Sequence, residues 1–148
     1  MFGFEFSETL RGTYHLLANP LDEQSIDFSI RVEGRGARRF IREKIAEIHG
    51  HVTLKGLAEN RPLQGTLAFK LVDEQRLSYD FTFEGDDRRP YRLRGQKDWS
   101  IFSVADSLSI LPATVYDGDG VEIGRALLRF DLRGDTKKLL KSFRLTRG

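Results

Sequence analysis

Hydrophobic and polar residues alternate along most of the chain with a period of two. Between residues 2 and 16 the even positions are mostly apolar, whereas the odd positions are mostly polar or glycine. The pattern returns in residues 26–32, 46–54, 63–71, 77–83, 91–93 and 126–132. Successive side chains of a β-strand point to opposite faces, so this alternation predicts a series of half-buried strands.

One further segment, residues 107–116, fits the strand pattern less regularly because Pro112 interrupts it. Proline has no backbone N–H, so Pro112 predicts an edge strand or a bulge at this point. Short stretches rich in Asp, Asn, Gly and Pro separate the strands, at residues 19–20, 59–62, 73–75, 85–87 and 117–120. Spacing this short and even predicts an antiparallel meander, because parallel strands need long crossover connections.

The predicted fold class is all-β, as a single domain over residues 1–148. Eight or nine strands with one apolar face each must close into a barrel or pack as two sheets. We favour a barrel-like, lipocalin-like closure over a sandwich, because an open meander leaves two exposed edges. The expected core is Phe4, Phe6, Phe28, Ile30, Ile48, Val52, Leu67, Phe69, Tyr79, Phe81, Leu93, Leu128 and Phe130.

Two stretches break the alternation and predict short helices, near residues 36–44 and 135–142. Each follows a strand and a basic–glycine step, which is consistent with a faint internal duplication or with two helices that plug the barrel ends. Both stretches concentrate Lys and Arg. A solvated helix face explains this clustering, and the alternative is a patch for an anionic partner.

Composition narrows the class of protein further. The 148 residues carry 24 Lys and Arg against 22 Asp and Glu, and no Cys. This near balance does not predict a nucleic-acid binder, and the lack of Cys excludes disulfides and thiolate chemistry. No apolar run is long enough for a membrane span, and the first residues do not resemble a signal peptide. We therefore expect a cytoplasmic protein without an integral membrane segment.

The candidate metal and catalytic motifs are weak. Glu47, His49 and His51 share one strand face, and His15 could supply a third nitrogen, but that face is polar and solvent explains it equally well. We therefore expect no metal at His49 and His51. Asp117-Gly118-Asp119-Gly120 has the wrong spacing for a calcium loop and predicts a hairpin turn. No nucleophile-elbow, zinc-protease or P-loop motif occurs, and no cofactor is expected.

Two charged residues occupy positions on the apolar face of their strands. Glu8 lies between Phe6 and Leu10, and Lys97 is in register with Tyr91 and Leu93. Because an isolated buried charge is very costly, we expect Glu8 and Lys97 to approach each other inside the domain. They either form a structural ion pair, reach water at a strand end, or serve a ligand cavity. Together with Tyr14, Tyr79 and Tyr91 they make up the candidate ligand-binding set.

Four short segments carry a resemblance to a known type of protein segment. They are Phe6-Ser7-Glu8-Thr9-Leu10-Arg11-Gly12, Tyr91-Arg92-Leu93-Arg94-Gly95-Gln96-Lys97, Gly124-Arg125-Ala126-Leu127-Leu128-Arg129-Phe130 and Lys141-Ser142-Phe143-Arg144-Leu145. They resemble a β-rich segment of large bacterial polypeptides that also carry cholesterol-oxidase-like (glucose–methanol–choline type) flavoprotein and α/β-hydrolase portions. The resemblance implies an accessory module near lipid or sterol chemistry. Its catalytic residues do not carry over, because this chain has neither a flavin-binding glycine motif nor a nucleophile elbow.

Three functions remain open at this stage. The first is a non-catalytic module that binds an apolar ligand of the lipid or sterol class or serves a partner enzyme. The second is an interaction subunit that docks through a strand edge or the basic helices. The third is an enzyme that uses Glu8 and Lys97. The sequence leaves the oligomeric state open.

Overall fold

The structure is a computed structural model that describes residues 2–34, 44–70, 76–98, 110–129 and 144–147. For residues 2–4, 70, 97, 98 and 144–147 it describes the backbone alone. The predicted helices therefore lie outside the described residues, except for Lys44, which is in no helix or strand. Phe130 and the side chain of Phe4, both expected in the core, lie outside them as well. Among the described residues there is no helix with the length and hydropathy that crossing a membrane requires.

The described residues form nine β-strands, as the alternation predicts. They are β1 (Phe2–Leu16), β2 (Asn19–Gly34), β3 (Ile45–Leu54), β4 (Ala58–Lys70), β5 (Arg76–Glu84), β6 (Pro90–Asp98), β7 (Ile110–Asp117), β8 (Glu122–Arg129) and β9 (Arg144–Arg147). Each of the first seven pairs antiparallel with the next one in sequence, and β8 pairs with β1. The first eight strands therefore form one closed barrel, which decides between the predicted barrel and the sandwich.

The length of β1 makes the closure possible. Along one edge β1 pairs with β2 from Phe4 to Leu16. Along the other edge it pairs with β8 over Arg11–Leu16 and with β9 over Phe2–Glu5. The strands of a closed barrel are staggered, so one neighbour covers only part of a long strand. Here β9 takes up the end of β1 that β8 does not reach.

The predicted register is confirmed, although Phe6 and Phe69 of the expected core are only half-buried. The inward row is buried at Leu10, Ile26, Phe28, Ile30, Val32, Ala46, Ile48, Val52, Leu54, Leu63, Leu67, Tyr79, Phe81, Phe83, Tyr91, Leu93, Leu111, Ala113, Val115, Ala126 and Leu128. Ser29 and His49, on the opposite face, are exposed. A slip of one residue would exchange these two faces, so the hydrophobic pattern itself fixes the register.

Aromatic rings fill the middle of the barrel. The Phe28 ring lies 5.2 Å from the Phe81 ring in an edge-on arrangement, and 6.1 Å from the Tyr79 ring. Phe83 lies 6.1 Å from Phe81 and stacks on Tyr91 at 5.8 Å. Centroid separations of this size are those that aromatic pairs favour, so the rings form one continuous cluster across the interior.

Four short turns close one end of the barrel, which we call the turn end. They lie at residues 17–18, 55–57, 85–89 and 118–121. Asp86 connects two of them: its backbone N–H donates to the Leu57 carbonyl, and its carboxylate accepts from the Glu59 N–H and from Arg61 Nε. The predicted hairpin turn at residues 117–120 is confirmed, because the Asp117 carboxylate accepts from the N–H groups of Asp119 and Val121.

The residues that link β2 to β3, β4 to β5, β6 to β7 and β8 to β9 all leave from the opposite end, which we call the connection end. Most of these linking residues lie outside the described ones. The two ends therefore differ: the turn end is closed by short turns that the structure describes, whereas three of the four links at the connection end have ten or more residues.

Pro112 does not lie on an edge strand or at a bulge, but its side toward β6 is unpaired. Pro112 lies in β7, between β6 and β8, and is paired with Leu127 of β8. The pairing of β6 with β7 runs from Tyr91 opposite Asp117 to Gly95 opposite Ala113, and goes no further toward Pro112. Without an N–H group Pro112 cannot extend a ladder, so its effect is to end the β6–β7 pairing early.

Two inward glycines allow neighbouring strands to bend closely together. A Cβ atom at Gly50 would lie 1.9 Å from the Ser29 carbonyl oxygen, and one at Gly65 would lie 1.9 Å from the Asp80 carbonyl oxygen. Gly50 and Gly65 lie on adjacent strands, β3 and β4. Glycine at such positions lets a sheet curve sharply enough to close.

We expect Gly65→Ala to destabilise the barrel by about 1–3 kcal/mol, since the backbone must shift to admit the methyl group. Urea unfolding followed by circular dichroism measures the effect. Gln64→Ala, one residue away on the exposed face, is the matched control and should change stability by less than about 0.5 kcal/mol. Equal effects of the two substitutions would contradict the close approach at Gly65.

Candidate functional site

A hydrogen bond between Tyr79 and Glu8 crosses the interior of the barrel. The Tyr79 hydroxyl donates to Glu8 Oε1 at 2.5 Å. Glu8 lies on β1, opposite Ile30 of β2, whereas Tyr79 lies on β5, between Leu67 of β4 and Gly95 of β6. In a ring of eight strands β1 and β5 are four positions apart. We call this hydrogen-bonded pair the crosspiece.

Burial fixes the protonation state of the phenol in the crosspiece. Tyr79 is 2% exposed, and burial raises its pKa well above the usual value. The negative charge of Glu8 and the hydrogen bond to it raise that pKa further. Tyr79 therefore stays neutral and acts as a donor at any physiological pH. Glu8 presents carboxylate oxygens inside a barrel whose other inward side chains are mostly apolar.

Half-buried apolar side chains lie on the connection-end side of the crosspiece. Phe6 is two residues closer to that end than Glu8, and Leu77 is two residues closer than Tyr79. Phe69 pairs with Leu77. All three pack against the core without being fully buried, whereas Phe28 and Phe81 beyond the crosspiece are almost fully buried. The crosspiece thus divides a fully packed aromatic core from a half-buried apolar ring formed by Phe6, Phe69 and Leu77.

Lys97 is the expected partner of Glu8, and only its backbone is described. That backbone pairs with Leu77 and belongs to the inward row of β6, two residues beyond Gly95. A contact between the Lys97 ammonium and the Glu8 carboxylate stays a prediction. The structure identifies Tyr79 as a partner of Glu8. Tyr79 belongs to the candidate set because its position in the alternation faces the interior. The alternation did not show that the Tyr79 side chain meets Glu8.

The other two tyrosines of the candidate set lie toward the turn end, away from the crosspiece. The Tyr14 hydroxyl donates to the Lys55 carbonyl at 2.5 Å, and the Tyr91 hydroxyl donates to Asp87 Oδ2 at 2.5 Å. Burial raises the pKa of Tyr14, and burial together with Asp87 raises the pKa of Tyr91 to about 12. The expected five-residue set is therefore not one site, because Tyr14 and Tyr91 hold the turns of the barrel.

A cleft of about 710 Å³ lies where the β6–β7 pairing ends, and we call it the seam cleft. Outward residues such as Arg94, Gln96 and Pro112 line it. It also reaches Tyr79 and Gly95, which belong to the inward row. The seam cleft therefore lies on the outer surface and touches β5, the strand that carries the crosspiece phenol.

A second cleft, of about 760 Å³, lies on the outer face of β2 to β5 and is lined in part by His49 and His51. His49 Nε2 is 4.0 Å from Glu47 Oε2, which is a long contact between exposed groups. The described residues include no cluster of three or more His, Asp or Glu placed to hold a metal ion. The outward His pair thus has the solvent-facing position that its strand face predicts.

No family model and no curated protein matches the chain. Two solved structures resemble it. One is a redesigned β-barrel, mFAP1, bound to DFHBI, with a TM-score of 0.48 and 13% identity over 82% of this chain and 92% of that chain. The other is the redesigned β-barrel b11L5F_LGL, with a TM-score of 0.47 and 13% identity over 82% of this chain and 88% of that one.

We expect stability to fall as the pH rises above about 10, because tyrosines ionise there in the unfolded chain while Tyr79 stays protonated in the folded chain. Tyr79 contributes up to about 1.4 kcal/mol per pH unit to this fall until the pH reaches its folded-state pKa. Tyr79→Phe should make the dependence shallower by that amount, as measured by urea unfolding at a series of alkaline pH values. Parallel curves for the wild type and the variant would contradict the raised pKa.

Proposed function

We propose that this chain is a non-catalytic binding module that takes an apolar ligand of the lipid or sterol class with a single polar group. The observation that carries the proposal is the crosspiece, a carboxylate and a neutral phenol that meet inside an apolar barrel beside a half-buried ring. Small-molecule sites typically combine an apolar lining with a few polar groups that fix orientation.

The two crosspiece residues offer complementary chemistry to a hydroxyl group. The Glu8 carboxylate accepts hydrogen bonds, and the Tyr79 phenol both donates and accepts them. A ligand hydroxyl can therefore donate to Glu8 and accept from Tyr79, which replaces the direct bond between them. Phe6, Phe69 and Leu77 then contact the apolar body of the ligand. This arrangement favours an alcohol over a carboxylic acid, because a ligand carboxylate would meet the charge of Glu8.

The seam cleft supports a route to the crosspiece. Arg94 and Pro112 line it on the outer surface, and its lining also includes Tyr79, which is 2% exposed. Entry at this point needs no rupture of the β6–β7 ladder, which already stops at Gly95 and Ala113. A module of this kind fits the sequence resemblance, since a partner enzyme acting on lipids or sterols could receive a held ligand. It stays a prediction that the chain acts together with such an enzyme. Catalysis by Glu8 with Lys97 also stays a prediction.

Binding of a fluorescent sterol (dehydroergosterol) and a fluorescent fatty acid (cis-parinaric acid) tests the proposal. We expect saturable, one-to-one binding, with the sterol alcohol preferred over the acid. Tyr79→Phe should weaken sterol binding by about fivefold, since one hydrogen bond contributes on the order of 1 kcal/mol. Glu8→Gln keeps the shape of the side chain but removes its charge, and should reduce the preference for the alcohol over the acid.

Tyr91→Phe is the matched control, because it also removes a phenol–carboxylate hydrogen bond, at the turn end of the barrel. Its sterol affinity should stay within about twofold of the wild type. Circular dichroism verifies that each variant is folded before binding is measured. Equal weakening in Tyr79→Phe and Tyr91→Phe, or no saturable binding of either probe to the wild type, would overturn the proposal.

A further inference from the structure

An apolar patch lies on the outside of the barrel at β7 and β8. Leu127 is 43% exposed and Ile110 is 38% exposed, although both lie in regular strands. Pro112 is paired with Leu127 and lies two residues from Ile110 on the same face of β7. The three side chains are therefore neighbours on the solvent side, whereas Leu111 and Leu128, the next residues along each strand, are fully buried.

Four arginines surround this patch. Arg129 lies opposite Ile110, and Arg125 lies two residues from Leu127 on β8. Arg94 of β6 lies opposite Thr114, the residue two positions from Pro112. Arg11 of β1 lies directly opposite Arg129. We call Ile110, Pro112 and Leu127 together with these four residues the arginine-rimmed patch.

Carboxylates within the chain neutralise this rim only in part. Glu122 lies 2.7 Å from Arg125, and Asp80 lies 3.6 Å from Arg94 while also binding Arg92. Among the described residues Arg129 has no carboxylate partner. Arg11 lies opposite Asp27 of β2 as well as opposite Arg129 of β8. Like charges directly opposite each other on a sheet are unfavourable. Arg129 therefore gives the rim a positive charge that an external carboxylate would stabilise.

We propose that the arginine-rimmed patch docks a partner protein that presents apolar side chains flanked by Asp or Glu. Interfaces combine an apolar centre with a polar rim, and arginine is the cation enriched in them because its guanidinium binds carboxylates in a bidentate manner. All four rim cations are Arg. This surface is separate from the barrel interior, so docking goes beyond the ligand binding proposed above.

Charge and composition favour an acidic protein over two other occupants. A second copy that docked face to face through the same patch would bring two arginine rims together, which like-charge repulsion opposes. A membrane-binding surface typically adds Trp or Phe that insert among the headgroups, and the apolar centre of this patch is Ile, Pro and Leu. An acidic partner supplies both the apolar contact and a carboxylate for Arg129.

Three synthetic hexapeptides test the proposal on the full chain: Glu-Glu-Leu-Leu-Glu-Glu, Glu-Glu-Ser-Ser-Glu-Glu and Lys-Lys-Leu-Leu-Lys-Lys. Amide resonances of the ¹⁵N-labelled protein are followed during titration with each peptide. The acidic leucine peptide should shift amides in β7 and β8, and should bind about tenfold more tightly than the other two. Added salt should weaken this binding, because the rim charges are exposed.

Arg129→Glu should weaken binding of the acidic leucine peptide by about tenfold. Arg88→Glu, the same charge reversal in the exposed turn between β5 and β6, is the matched control and should leave that affinity unchanged. Leu127→Gln tests the apolar centre without a change of charge, and should also weaken binding. Amide spectra of each variant verify the fold.

Equal affinity of Arg129→Glu and the wild type for the acidic leucine peptide would overturn the proposal. Equal binding of the acidic and basic leucine peptides would overturn it too. Binding of the chain to phosphatidylglycerol vesicles but not to the acidic peptide would also overturn the proposal. So would a dimer, seen by sedimentation, that Arg129→Glu strengthens. A failure here leaves the proposed ligand site intact, because sterol binding is measured on different residues.

Discussion

The structure depends on the pairing of β1 with β8, which turns a meander into a closed barrel. An open meander would leave one unpaired edge on β1 and another on β8. Closure removes both edges, and the length of β1 lets it pair with both β8 and β9 along the edge that does not face β2. Closure also sets β1 across the interior from β5. Glu8 and Tyr79 meet only because these two strands face each other.

The crosspiece gives the interior a polar layer where an all-apolar packing would otherwise be expected. Burying a phenol or a carboxylate without a partner costs several kcal/mol, whereas a mutual hydrogen bond offsets much of that cost. The same chemistry occurs twice, at Tyr79 with Glu8 inside the barrel and at Tyr91 with Asp87 beside a turn. The second pair closes an end of the barrel. The first lies between a packed core and a half-buried ring, which is where a ligand could replace it.

The seam cleft and the arginine-rimmed patch lie next to each other, where the β6–β7 pairing ends. Pro112 limits the pairing and lines the seam cleft, and it also belongs to the arginine-rimmed patch. Arg94 is shared in the same way. A partner docked on the patch would therefore lie beside the proposed route to the crosspiece.

The sequence by itself determined the register and the inward row, because a period of two identifies the buried face without any knowledge of partners. It located the strands less accurately, since the expected breaks at residues 19–20 and 59–62 lie inside β2 and β4. It also located Glu8 as a charge on the apolar face. It did not determine that Tyr79 faces Glu8 or that Tyr14 and Tyr91 serve the turns, and it wrongly placed Pro112 at an edge. These outcomes depend on which strands lie opposite and where each ladder stops. Such relations are contacts between residues far apart in the chain, and only the closed tertiary structure decides them.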